Sequence, residues 1–298
     1  MLAPKFLLLL LTLLLGVVFA RDATGLSLHD KRDLQTRQDG GAPAEAEEAP
    51  RPDTPLSLMR DETIRPPGKA VPVRGQDAFL WSGAAQLPEP PSDDELVAMT
   101  RDAYDLMIWY ATRDRVPETK HPGSMTGLSV DNKVYFFSSL KGSGLSVYAD
   151  RKNKSDSTAN PNVPSGVQEA LKNCYLASQR AAQDAGEGDG QAQHRTGASC
   201  GEVMASWAFF NENKGSNLEK GTFVAWGPQK RRNGQPVYKI MPPCGGGQNP
   251  EWGCDSFLKM LDARAVDRRV EPASHYAEPK VVVHFPLRGF MRRLKLRD

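Results

Sequence analysis

The chain has 298 residues, 39% of them hydrophobic, and a formal net charge of +2. Its one long apolar run lies at the start, is short for a membrane span and has no successor. Composition therefore argues against a stable membrane anchor and assigns most of the apolar content to a soluble core. From Ser92 onward 28 Lys/Arg face 24 Asp/Glu, a net of +4, which singles out no class of partner.

Residues 1–20 read as a secretory signal peptide: Lys5 supplies the positive start, Phe6 to Leu15 is almost purely apolar, and Val18-Phe19-Ala20 fits the small-residue rule at a cleavage site. Secretion is the expected localisation. The mature chain then begins near Arg21, with Lys31-Arg32 as a dibasic pair suited to further processing. Residues 21–91 read as a disordered Pro-rich pro-segment or linker. Ten prolines lie between Pro43 and Pro91, Ala44–Ala49 is acidic, and few large apolar side chains are present to offset the entropy of ordering. Phe79-Leu80-Trp81 is the exception, a stretch able to dock on the domain. Residues 92–298 are expected to form one domain. Its last eleven residues carry Arg288, Arg292, Arg293, Lys295 and Arg297 against Asp298 alone. Such a tail suits a polynucleotide or an acidic membrane, and equally a solvated terminus.

Within that domain Ser92 and Glu95 make a capping box, and Leu96, Met99, Ala103, Leu106, Met107 and Tyr110 share one helical face, so the spacing predicts a helix over 93–112. Val134–Leu140 and Leu145–Ala149, rich in aromatic and β-branched residues, read as a hairpin across Lys141–Gly144. The sequon Asn153-Lys154-Ser155 follows in a polar loop. Ser165 and Gln168 start a second helix whose apolar side holds Val167, Ala170, Leu171, Cys174 and Tyr175. After a Gly-rich loop, a third helix starts at Ser199 or Cys200 and runs past Met204, Trp207 and Phe210. Strands are predicted over 222–226 and 237–241 around an Asn233-Gly234 turn. A helix over 255–266 and a buried strand over 280–285 complete the order. The class is α/β: a central mixed sheet with helices packed on both faces.

Chemistry concentrates at Cys200-Gly201-Glu202, at Pro243-Cys244 and at Gly253-Cys254. Three thiolates can hold a zinc ion, Zn2+, and leave a fourth position open. Cys200 and Cys254 each sit where a helix begins, so the positive ends of two helix dipoles can offset a thiolate-rich centre. Glu202, in the first turn after Cys200, is placed to move a proton beside the metal. Cys174, on the apolar side of its helix, reads as a core thiol. The plainer readings stay open. Four cysteines in a secreted chain default to two disulfides, with Cys244–Cys254 closing a Gly-rich loop and Cys174 paired with Cys200; the protein is then a non-catalytic, disulfide-stapled interaction protein or effector. Glu202 also completes a capping box with Ser199. His194 reads as an exposed loop histidine, with a substrate contact or a replacement ligand as the alternative, and Trp207, Phe210 and His284 read as core.

These motifs resemble the zinc-dependent cytidine deaminase superfamily, whose signature is His/Cys-x-Glu on one helix and Pro-Cys-x-x-Cys on the next. The likeness spans roughly residues 130–290 and, with the signal peptide, looks most like the toxin-type branch of secreted bacterial polymorphic toxins and their fungal relatives. It implies a three-layer α/β/α sandwich, zinc on Cys200, Cys244 and Cys254, and Glu202 as proton shuttle while activated water attacks the amino-bearing carbon of a nucleobase. The substrate implied is a nucleobase, nucleoside or single-stranded nucleic acid. Backbone N–H of Gly201 and the carbonyl of Pro242 are implied substrate contacts. The chain departs from the pattern in one respect: nine residues, Gly245 to Gly253, stand where the signature has two.

Overall fold

The computed structural model describes residues 49–60, 80–141, 163–184, 194, 197–230, 234–245 and 252–283. The signal peptide, Lys31-Arg32, the sequon, the expected strand 145–149, His284 and the basic tail lie outside them.

Helix α1, Asp93–Arg113, begins where the capping box places it. The Glu95 carboxylate accepts the Ser92 N–H at 2.9 Å, and Asp93, Asp94 and Glu95 put negative charge on the positive end of the helix. A hairpin follows, β3 (Met125–Val130) and β4 (Lys133–Ser138), turning at Asp131-Asn132 with Asp131 in the left-handed region, φ 51°. The predicted strand 134–140 is therefore found as 133–138, but its partner lies before it. β3 was hidden in the sequence because Gly127 and Ser129 dilute its β signal. Helices α2 (Ser165–Asp184) and α3 (Gly201–Glu212) come next. Strands β5 (Thr222–Lys230) and β6 (Pro236–Met241) pair antiparallel, with Gly234 at φ 84° near their turn. Helix α4, Cys254–Met260, is shorter than the predicted 255–266. Asp262 takes a left-handed conformation, φ 55°, and the chain turns into β7 (Arg264–Ala265), which lies parallel to the start of β5. Val281–Val283 forms β8, as expected from its three valines.

The boundary expected at Ser92 falls inside the folded unit. Strand β2, Trp81–Gln86, belongs to the span expected to be disordered linker, yet it pairs with β4 on one side and with β1 (Met59–Arg60) and β8 on the other. Leu56 and Leu58 are buried as well, and Trp109 Nε1–H reaches the Ala49 carbonyl at 2.8 Å. Proline counting missed this because the strand is made of small residues, Ser-Gly-Ala-Ala, that fit a crowded position but carry little hydrophobic signal.

The fold is mixed α/β, with four helices among the described residues. Neighbouring strands run β1-β2-β4-β3-β5-β6, with β8 added on β2 and β7 on β5. Among the described residues seven strands join by antiparallel pairing, and only β7 is parallel. Alternate strand residues divide between two hydrophobic clusters, as a two-residue period requires. Tyr135, Phe137 and Phe223 join α2, α3 and α4; Val134, Phe136 and Val224 join α1. Each such large apolar side chain contributes about 1.5–3 kcal/mol on burial. No helix among the described residues is long and apolar enough to cross a membrane.

Candidate metal centre

One row across the sheet carries the site. Phe137 of β4 pairs with Thr126 of β3, Thr126 with Ala225 of β5, and Ala225 with Met241 at the end of β6. The first turn of α3 rests on this row. A side chain at Gly201 would collide with the Thr126 hydroxyl and lie 2.8 Å from the Phe137 carbonyl, so glycine is the residue that lets the helix start this close to the sheet. Leu140 N–H bonds the Ser199 carbonyl at 2.9 Å and fixes the approach. Three residues beyond Met241, past Pro242-Pro243, the chain delivers Cys244 to the same place.

The nine-residue interval closes at its neck. Gly245 has φ 94°, and a side chain on it would lie 2.9 Å from the Gly253 nitrogen; one on Gly253 would lie 2.7 Å from the Gly245 nitrogen. The two ends of the interval thus touch, and residues 246–251 between them lie outside the described set. The first donors of α4 then cap on the other side of the neck: Cys254 N–H reaches Cys244 Sγ at 3.3 Å and Asp255 N–H the Cys244 carbonyl at 3.0 Å. Glycines at both ends do for this chain what a two-residue spacing does on a single helical turn.

The result is a cluster of His194, Cys200, Cys244 and Cys254 whose ligand atoms all lie within 4.8 Å of one another. Cys254 and His194 are buried, Cys200 and Cys244 half-buried. None of the four cysteines is in a disulfide; Cys200 Sγ and Cys244 Sγ are 3.4 Å apart. A disulfide needs about 2.05 Å, whereas tetrahedral zinc at about 2.3 Å from each thiolate separates sulfurs by roughly 3.8 Å. The donor set and its spacing fit a metal ion, and this group could bind one.

Hydrogen bonds from the Cys200 and Cys254 thiols, and from the Cys254 backbone N–H at 3.3 Å, lower the Cys244 thiol below the ordinary range. The Cys200 thiol is pushed up, first by its hydrogen bond to Cys244, and the Cys254 thiol is pushed up by its hydrogen bonds to Cys200 and Cys244. A bound metal ion would take over the role of those shared protons.

Glu202 is buried, 7% exposed, and sits against this cluster. Burial, with the Cys244 charge, raises its carboxyl to about 7. The helix N-cap is Cys200, at φ −78° and ψ 153°, so Glu202 occupies the second helical position and no side-chain cap bond forms. The capping-box role with Ser199 does not apply. Gly201 is buried at the helix start, while Pro242 is exposed just past β6. Cys174 lies apart in the core, 1% exposed, its thiol pushed up to about 12 by burial. Trp207 and Phe210 are core residues of α3.

The sequence does not mark Trp252 as a site residue, and it offers His194 as a substrate contact or replacement ligand only as the lesser alternative. His194 is 6% exposed rather than solvated, and Trp252, 3% exposed, packs edge-on against its ring at 4.7 Å. Both sit in Gly-rich stretches where no helical or strand period marks a side chain as inward. The available signal was position alone: His194 lies six residues before Cys200, and Trp252 two before Cys254.

No protein-family model, curated protein or solved structure matches this chain.

Proposed function

We propose that this is a secreted zinc-dependent deaminase acting on a nucleobase, in a nucleoside or a nucleic acid, built on a three-layer deaminase-like sandwich. The observation that carries the proposal is the convergence of Cys200, Cys244, Cys254 and the buried carboxyl of Glu202, from segments 44 and 10 residues apart, on one row of the sheet. The chain order around them supports it: a hairpin and a helix precede the Cys-Gly-Glu helix, strands follow, and Pro-Cys leads to the Cys254 helix.

Cys200, Cys244 and Cys254 would hold the zinc, which when bound supplies Lewis-acid activation of water. The chain's own part is proton handling. A carboxyl held near neutrality by burial can accept a proton as water adds to the amino-bearing ring carbon and return it to the departing nitrogen. The overall change consumes one water, breaks the exocyclic C–N bond, forms a ring carbonyl and releases ammonia. The Gly201 N–H, in a first helical turn without intrahelical partners, would take a base carbonyl, and the Pro242 carbonyl the exocyclic amine. The basic residues of 288–298 favour a polynucleotide over a free nucleoside.

The test uses the mature protein. One zinc per chain, four titratable thiols and ammonia release from cytidine, adenosine or a single strand are expected, with Glu202→Ala keeping zinc and losing ammonia release. Absence of zinc together with an oxidised Cys244–Cys254 pair would sink the proposal in favour of a disulfide-stapled protein. Deleting residues 288–298 should weaken activity on single strands and flatten its salt dependence.

A further inference from the structure

The three thiols of the cluster do not sit at the same depth. Cys254 is a member of the hydrophobic core with 0% of its surface exposed, packed with Trp252, Phe257 and Leu258. Cys200 and Cys244 stand at the rim of that core, each half-buried. Their sulfurs touch, Sγ to Sγ at 3.4 Å. A disulfide bond is about 2.05 Å long, so the two sulfurs have only roughly 1.4 Å to close.

The main chain on both sides is held while they close it. At the start of α3, the Leu140 N–H on the Ser199 carbonyl at 2.9 Å and the seat of Gly201 on Thr126 fix the backbone that carries Cys200. The Cys244 carbonyl accepts the Asp255 N–H at 3.0 Å, which fixes the backbone of Cys244 and leaves its sulfur to turn. Rotation about side-chain bonds is then enough to join the pair. Bringing Cys254 into a bond with an outside reagent would instead cost its packing in the core.

We propose that Cys200 and Cys244 are a redox pair guarded by the metal: with the ion bound both sulfurs are engaged, and without it a low-molecular-weight disulfide joins them and closes the centre to metal. This rests on the reading of the cluster as a metal centre. On the secretory route of the proposed function, oxidised glutathione is such a disulfide. The step is thiol–disulfide exchange. One thiolate of the pair attacks a sulfur of oxidised glutathione, forms a mixed disulfide and expels one glutathione thiolate. The other thiolate attacks the protein sulfur of that mixed disulfide, forms the Cys200–Cys244 bond and expels the second. Two electrons pass from the cysteine pair to oxidised glutathione, and the two cysteine protons end on the two glutathione thiols. Metal binding needs deprotonated thiolates. With two of them consumed, the centre stays closed until a thiol reductant reverses the exchange.

The experiment compares zinc-loaded and chelator-stripped full-length protein after incubation with oxidised glutathione, followed by acid quenching, alkylation in denaturant and peptide mapping. The stripped protein should lose two of its four free thiols, with Cys200 and Cys244 in one linked peptide pair and Cys174 and Cys254 alkylated. The zinc-loaded protein should keep all four over the same interval. The oxidised protein should take up no zinc until dithiothreitol is added, and then one per chain. Cys200→Ser should stop at the first exchange and retain glutathione on Cys244, read as a gain in mass. Cys254→Ser should still form the bridge. A Cys244–Cys254 link, four thiols surviving in the stripped protein, or equal oxidation of stripped and loaded protein would overturn the proposal. If the wild-type protein binds no metal, this inference and the proposed function fail together. If it binds zinc and releases ammonia but never forms the bridge, this inference alone fails. If the bridge forms and zinc prevents it, but no substrate yields ammonia, only the proposed function fails.

Discussion

Helices α1 and α3 begin in similar sequence settings and use them in opposite ways. At α1, Ser92 is followed by an acidic first turn, and Glu95 folds back to accept the Ser92 N–H at 2.9 Å, on the surface. At α3, Cys200 is followed by Glu202, which makes no cap bond and is buried against three thiols with its carboxyl raised to about 7. The first start satisfies backbone donors and adds stability. The second leaves a carboxyl where water cannot solvate it, which costs stability and keeps a proton exchangeable near neutral pH. One residue of offset accounts for the divergence. With Ser92 as N-cap, Glu95 is the third helical residue and can reach back; with Cys200 as N-cap, Glu202 is the second and turns to the cluster.

The largest effect should come from the ligands. If zinc binds the folded state alone, at a free concentration a thousandfold above Kd it adds about 4 kcal/mol of apparent stability. Chelation should therefore lower the melting temperature of the wild type. Cys200→Ser and Cys254→Ser should show the low melting temperature with or without chelator. Cys174→Ala, changed in the core away from the cluster, should keep one metal per chain. Chelator sensitivity surviving in Cys200→Ser would break the distinction between the two helix starts.

The next effect is that of Glu202 on the metal-free protein. Its folded carboxyl stands at about 7 against an unfolded value of 4.5. A raised folded value means the unfolded state releases the proton first, so stability from this group is full below pH 4.5 and is lost as pH rises toward 7. The loss amounts to about 3 kcal/mol. Glu202→Gln should then be nearly neutral at pH 4 and stabilising by about 3 kcal/mol at pH 8, measured by denaturant unfolding. A pH-independent difference would mean that the carboxyl is solvated. The cost of ionising it is the reason to expect a functional role, since a residue kept only for stability would not carry it.

Much of this was legible in the sequence, for identifiable reasons. Helices α1, α2 and α3 announced themselves through caps and a 3.6-residue apolar period, and β5 and β6 through aromatic and β-branched runs. Cys200, Cys244, Cys254 and Glu202 were legible as a constellation, and the structure brings their side chains together. Strand β2 was not legible, because a strand buried on both faces can be built of alanine, glycine and serine, which read as linker among prolines. Strand β3 failed for the same reason at Gly127 and Ser129. Trp252 was missed, and His194 was expected on the surface, because they are held by a left-handed turn and a glycine neck, local geometry that no periodicity reports. The closure of Gly245 on Gly253 was not legible, since glycine content permits a fold-back without specifying one.

Glycine at the start of α3 sharpens the comparison further. An exposed Gly→Ala change inside a helix normally stabilises by about 0.5–1 kcal/mol. Gly201→Ala should do the reverse, destabilising by roughly 1–3 kcal/mol as an overpacked site does, because its methyl would meet Thr126 and lie 2.8 Å from the Phe137 carbonyl. Thr126→Ser removes only the methyl and should not relieve it; Thr126→Ala removes the hydroxyl and should restore part of the loss. Metal affinity should fall alongside stability in Gly201→Ala, since the displaced first turn carries Cys200.

The smallest effect belongs to α1 and defines the contrast. Glu95→Ala removes one exposed carboxylate that accepts the Ser92 N–H, a capping contribution of about 1 kcal/mol. The helix packs into the cluster formed with Val134, Phe136 and Val224, whereas the candidate metal centre lies with the cluster that holds Tyr135, Phe137 and Phe223. Stability should therefore drop by about 1 kcal/mol while metal stoichiometry and affinity stay as in the wild type. Glu202→Gln should do the converse at pH 8, raising the stability of the metal-free protein and, on the proposed function, removing ammonia release. If Glu95→Ala weakened metal binding as much as it weakened folding, the two helix starts would be coupled through the sheet, and the acidic residue of each would have to be read as serving the same end.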